Sequence, residues 1–204
     1  MPSTCKLGVL LSGRGSNFQA IWAAQQRGDL PGAELACVVS NRKAAGGLDF
    51  ARAQGIPAYF LGPKAYGSLE AYDAAILEHL QAHGVDWLVL AGYTKIISPV
   101  LLSAYPGRIL NIHPSLLPQF GGVGMMGEAV HAAVLAAGET ETGATVHLVT
   151  EEVDGGPILG QIRVPVLPTD TVETLAARVL EQEHQLYPQV IRNVVLQQVA
   201  GPSQ

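Results

Sequence analysis

The 204-residue chain contains two cysteines, Cys5 and Cys37, too few for a disulfide framework, so reduced thiols and a cytoplasmic location are expected. Charge is scarce too: Asp, Glu, Lys and Arg make up 14% of the residues, against roughly 25% in an average soluble domain. Twelve basic residues face 17 acidic ones, for a formal net charge of -5, and no Lys/Arg run occurs anywhere. Nucleic acids and anionic membranes both favour a basic face, so neither is expected as a partner. Long apolar runs are missing as well. The longest uncharged stretch, Ile109–Gly127, is broken by prolines, glycines and His113 and would not span a bilayer. Met1–Leu11 is too short for the apolar core of a signal peptide. The six histidines and two cysteines show no ligand spacing, so no metal is expected; His79 and His83, four apart, read as a solvated helix face.

Apolar residues (48%) are plentiful, and the 23 glycines and 13 prolines exceed their usual combined share of about 12%. Such a composition excludes disorder and indicates a compact fold with many tight connections. A chain of this length buries a sufficient core without staples. Short apolar runs at Leu7–Leu11, Glu34–Val39, Trp87–Leu90, Ile109–Ile112 and Thr145–Val149 read as buried strands. Asn17–Arg27, Gly46–Gln54 and Ser68–His83 read as helices, the last with a stripe of Leu69, Tyr72, Ile76 and Leu80. Ser98-Pro99 opens a short helix that Gly107 closes. Asp170 followed by Glu173 signals a last helix with Leu175 and Val179 inward, which Pro188 is expected to kink or split. Strand–helix alternation implies an α/β domain with a mostly parallel sheet covered on both faces. The aperiodic segment from Pro114 to Met126 reads as a functional loop.

Chemistry is sought at the carboxyl ends of strands, where open α/β sheets collect ligands. Ser12-Gly13-Arg14-Gly15-Ser16-Asn17 follows the first strand and opens a helix, an arrangement suited to a phosphate. A dinucleotide turn and a plain tight turn capped by Ser16 or Asn17 remain alternatives, although Phe18 stands where a dinucleotide motif needs glycine. In Asn111-Ile112-His113-Pro114, alternation puts the amide and the imidazole on one side, where both can meet a carbonyl oxygen. Asp154-Gly155-Gly156-Pro157 is turn chemistry unless Asp154 lies beside His113, where it would raise the imidazole pKa. His147 is expected behind the reacting groups rather than among them.

These pieces together resemble the phosphoribosylglycinamide formyltransferases of the folate-dependent formyltransferase superfamily. The resemblance runs from about Leu7 to Pro188. It is carried by Leu11-Ser12-Gly13-x-Gly15-Ser16-Asn17, Val39-Ser40-Asn41, Leu90-Ala91-Gly92-Tyr93, Leu110–Pro118, Gly143–His147, Asp154–Pro157 and Gln182-Glu183-His184-x-x-Tyr187-Pro188. It implies a single Rossmann-like, three-layer domain over residues 1–200 with a roughly seven-stranded sheet and one reversed strand, and a tail at 201–204. Residues 1–105 would bind the phosphate, and 106–200 would carry the catalytic residues and the folate pocket.

By the same resemblance, Gly15, Ser16 and Asn17 would hold the phosphate of a ribonucleotide that Leu180 and Glu183 also touch. Thr94, Lys95, Ile96 and Ile97, with Asn111 and Thr150, Glu151, Glu152, Val153 and Asp154, would form the pocket for 10-formyltetrahydrofolate. Asn111, His113 and Asp154 would be catalytic, with no metal and no covalent enzyme intermediate, and a homodimer is compatible with the pattern. Within the superfamily, a tRNA formyltransferase would carry a further C-terminal domain, and a 10-formyltetrahydrofolate hydrolase an N-terminal one. Neither is expected here. A phosphate-sugar binding module without activity is the remaining alternative.

Overall fold

The computed structural model describes residues 4–197. Its sheet comprises β1 (Cys5–Leu11), β2 (Ala33–Ser40), β3 (Ala58–Phe60), β4 (Trp87–Leu90), β5 (Ile109–His113), β6 (Glu141–Leu148) and β7 (Ile158–Pro165), in the spatial order β3-β2-β1-β4-β5-β6-β7. The first five strands pair in parallel, and β6 runs against both of its neighbours, β5 and β7. The four residues of β4 are all apolar and all buried, as a strand covered on both faces requires.

Helices cover both faces. On one, α1 (Ser16–Gln26), α2 (Gly46–Ala53), α5 (Glu128–Ala136) and α6 (Val172–Ile191) bury Phe18, Leu48, Val134 and Tyr187 against the sheet. On the other, α3 (Leu69–Ala82) and α4 (Pro99–Ala104) bury Tyr72, Ile76, Leu80 and Leu101. Ser68 caps α3 by accepting a bond from the Ala71 N–H. Leu69, expected in the buried stripe, is exposed because it lies at the first position of the helix, before the stripe reaches the sheet.

Two expectations about α6 are corrected. Thr171, not Asp170, is its cap, exchanging bonds with Thr174 in a capping box. Asp170 instead accepts from the Leu167 N–H and pairs with Arg178 across the first turns. Pro188 neither splits nor ends the helix, which runs through it to Ile191 and into a π-helical turn at Arg192–Leu196. Pro188 is itself buried, and its helix packs against α1, α5, β6 and β7, so tertiary burial outweighs the lost bond. β3, α5 and β7 were not anticipated. The expected tail at 201–204 lies outside the described residues.

The strand order makes β1 and β4 neighbours although their connections depart to opposite sides, the crossing point at which open sheets form a crevice. The turn after β1 and the loop after β4 stay in contact there, with the Ser12 N–H donating to the Gly92 carbonyl. Below them Tyr187 of α6, fully buried, places its hydroxyl 3.0 Å from both the Leu90 and Leu110 carbonyls. One hydroxyl thereby ties α6 to the ends of two adjacent strands.

Candidate active site

A cavity of about 690 Å³ opens at this crevice. Gly15, Ser16 and Asn17 line it from the β1–α1 turn. Gly15 is the cap of α1, in the left-handed region at φ 72°, and the helix start carries no side-chain cap. A Cβ here would press on Leu11 and Gly47 as well as strain the backbone. First-turn N–H groups are therefore left for a ligand. Phe18 is buried edge-on to Phe50, which fills the space that a dinucleotide motif keeps open.

Asn17 and Glu183 meet across the cavity wall, the Asn17 amide nitrogen donating to the Glu183 carboxyl at 2.7 Å, while the Asn17 side-chain oxygen is buried without a partner. Burial pushes the Glu183 pKa up to about 7, against a smaller downward pull from the Asn17 bond. Leu180 lines the same wall one turn earlier on α6.

At the end of β5, Asn111 and His113 both face the cavity, as their alternation predicts, and Asp154 joins them from the β6–β7 connection. Asp154 sits in the left-handed region at φ 56° and receives the Gly122 N–H at 2.9 Å. One of its oxygens is 3.5 Å from His113 Nδ1, and the other is 3.5 Å from His147 Nε2. The His113 Nε2 nitrogen is 2.7 Å from the Phe120 carbonyl. His147 stands opposite Asn111 in the β5–β6 register and lies 3.1 Å from the Asn111 amide nitrogen, with Nδ1 2.9 Å from the Leu148 carbonyl. His147 thus orients two of the groups, the place expected of it, although it also reaches the cavity surface.

The electrostatics correct one expectation. Asp154 does raise the His113 pKa, but burial of a ring only 4% exposed is the larger effect, and the net shift is downward from 6.5. Both ring nitrogens nevertheless face acceptors, and only imidazolium has two N–H donors to offer them. For Asp154, burial raises the pKa, but bonds from His147 and Gly122 and the nearby His113 charge outweigh it and hold the carboxyl below its ordinary value.

Two loops form the remaining walls. Thr94, Lys95, Ile96 and Ile97 line the cavity after β4, and Thr150, Glu151, Glu152 and Val153 line it beside Asp154. Ser12 anchors the first loop, its hydroxyl oxygen accepting from the Thr94 N–H at 2.9 Å and the Thr94 hydroxyl at 3.0 Å. Gly156 lets the second loop fold back, since a Cβ there would collide with the Leu148 carbonyl. Every residue that the resemblance assigns to the ribonucleotide, the folate or the catalytic set therefore lines one cavity. Sequence reading missed His131 and Ala176, which also line it. A run of apolar residues following Gly127 was the available sign of α5, and thus of His131.

The chain matches the family described as formyl transferase over residues 5–191. It is 47% identical over 188 residues to the phosphoribosylglycinamide formyltransferase of Haemophilus influenzae, covering 92% of this chain and 85% of that one. To the Escherichia coli enzyme of the same name it is 44% identical over 183 residues, covering 90% and 84%. Among solved structures, glycinamide ribonucleotide transformylase 1 from Symbiobacterium toebii superposes with a TM-score of 0.88 at 48% identity, over 93% of this chain and 86% of that one.

Proposed function

Because the chain belongs to the formyl transferase family, we propose that it transfers the formyl group of 10-formyltetrahydrofolate to the amine of 5-phosphoribosylglycinamide. The products are formylglycinamide ribonucleotide and tetrahydrofolate, in de novo purine biosynthesis. The observation that carries this reading is the meeting of Asn111, His113 and Asp154 in a cavity that also reaches the uncapped start of α1. Two free, buried cysteines accord with a reducing compartment, and the cytoplasm is the proposed location. No helix among the described residues is long and apolar enough to cross a membrane.

The phosphate would sit at Gly15, Ser16 and Asn17, with Leu180 against the sugar and Glu183 on its hydroxyls. The folate would lie between Thr94–Ile97 and Thr150–Asp154. Exposed apolar side chains at the cavity mouth, Ile96, Val153 and Met126, offer a flat ring a face to cover. The folate supplies the electrophilic formyl carbon.

The chain's own groups handle the charge. Asn111 has a second amide N–H beyond the one turned to His147, and that proton can bond the formyl oxygen as it turns negative. Burial outweighs the pull of Asp154 and holds the His113 pKa below its ordinary value. A developing oxyanion beside it adds to that pull, so the ring gains proton affinity as charge builds. Asp154, fixed by Gly122 and His147, keeps the His113 ring turned, and through water it helps move a proton toward N10 of the departing folate.

The test is to mix the purified protein with 10-formyltetrahydrofolate, with and without 5-phosphoribosylglycinamide, and follow tetrahydrofolate. Release that depends on the ribonucleotide is expected. Equal release without it would make the protein a hydrolase. Binding of both compounds with no release would make it a binding module. Either result overturns the proposal.

A further inference from the structure

The proton that leaves the attacking amine needs an acceptor, and four of the titratable groups lining the cavity are already engaged. His113 has its nitrogens on the Phe120 carbonyl and on Asp154. His147 has Nδ1 on the Leu148 carbonyl and Nε2 between Asn111 and Asp154. Asp154 takes the Gly122 N–H and faces both imidazoles, contacts that stabilise the carboxylate and weaken it as a base. Glu183 holds Asn17 of the phosphate turn, at the end of the ribonucleotide remote from its amine.

His131 differs from all of these. It lies on α5, four residues beyond Gly127, and lines the cavity while only 5% exposed. Nδ1 is sealed from water and has no hydrogen-bond partner. Nε2 likewise bonds no group among the described residues, yet it is not sealed, and the residue that carries it lines the cavity. A buried imidazole without any partner is an unfavourable arrangement that a ligand's donor would relieve. α5 packs against α6, whose Ala176, Leu180 and Glu183 line the half of the cavity assigned to the ribonucleotide.

We infer that His131 is a further catalytic residue, the acceptor of the proton shed by the glycinamide amine. The inference rests on the proposed formyl transfer. As the amine lone pair forms the new bond to the formyl carbon, the carbonyl pair moves to oxygen and one amine N–H proton passes to His131 Nε2. When the carbonyl re-forms, the bond between carbon and N10 breaks with its pair on N10. N10 then takes the proton from His131, relayed through the water at Asp154, and His131 ends neutral as it began. Burial, and next the charge of His113, lower the His131 pKa from 6.5, which keeps the ring neutral and able to accept. The titratable groups on the surrounding elements are His113 on β5, Glu141 and His147 on β6, Asp154 beyond β6, Glu173, Arg178, Glu181, Glu183, His184 and Tyr187 on α6, and Glu128 on α5 itself.

The experiment uses the full chain and its His131→Gln and His131→Ala variants. Turnover at saturating substrates is measured from pH 5 to 9, and affinity for 5-phosphoribosylglycinamide alone is measured by titration calorimetry. The nitrogen resonances of the His131 ring are followed as the ribonucleotide is added without folate. Expected results are a turnover lowered at least tenfold in both variants, ribonucleotide affinity within threefold of the parent, loss of the limb that rises with pH below 6.5, and a shift of the His131 Nε2 resonance on binding. Turnover within threefold of the parent, a turnover loss matched by lost affinity, or an unmoved resonance would each overturn the role. An inactive parent protein, by contrast, would overturn the formyl-transfer reading itself.

Discussion

Glu183 is a carboxyl kept out of water, and that should appear in the protein's stability. Its pKa stands at about 7 when folded, against an ordinary 4.5, so the folded chain holds its proton more tightly than the unfolded chain does. Its contribution is therefore fully present below pH 4.5 and is lost as pH rises through 7, a change on the order of 3 kcal/mol at 1.36 kcal/mol per unit. Glu183→Gln keeps an acceptor for Asn17 and removes the titration. Urea unfolding between pH 4.5 and 8 should show the parent losing stability relative to this variant, and parallel curves would contradict the burial argument. At the reacting centre, His113→Ala and Asp154→Ala should each lower turnover at least tenfold with circular dichroism unchanged, since losing one oxyanion donor costs 10²–10³ in comparable sites. Near-normal turnover in either folded variant would remove that residue from the mechanism.

Two consecutive residues of α3 hold opposite ends of the loop that follows β4. The Tyr72 hydroxyl accepts from that of Tyr93, and the fully buried Asp73 accepts from the Ser98 N–H at 2.7 Å. Thr94–Ile97, one wall of the proposed folate pocket, lies between these ties. Asp73→Ala frees the Ser98 end and leaves a buried N–H unpaired, at a cost of about 1–3 kcal/mol in stability. The KM for 10-formyltetrahydrofolate should rise several-fold while that for the ribonucleotide changes less than twofold. Equal changes in both would mean that α3 supports the fold and not this wall. Elements differed in how openly the sequence declared them. The stripe of α3 is periodic and the all-apolar β4 is sharply bounded, so both were legible. α5 was hidden because its apolar run follows the glycines at 121, 122, 124 and 127, which read as one long loop. β3 has only three residues, too few for any period to show.

For the molecule as a whole, the carboxyl-end crevice was legible from strand–helix alternation, and the Asn111/His113 pair from the two-residue period of a strand. The approach of Asp154 to His113 was not, because no local pattern relates the β6–β7 connection to the end of β5; only resemblance to a family supplied it. The net direction of the His113 pKa was also out of reach, since it depends on how deeply the ring is buried by segments distant in sequence. Separation along the chain has a further consequence. Asn17 and Glu183, which bond across the cavity, stand 166 residues apart. A ribosome adding about 5–20 residues per second needs roughly 8–30 s between making one and making the other. For that interval the nascent chain carries the β1–α1 turn with no opposite wall, and the cavity stays incomplete until α6 has emerged and closed on α1.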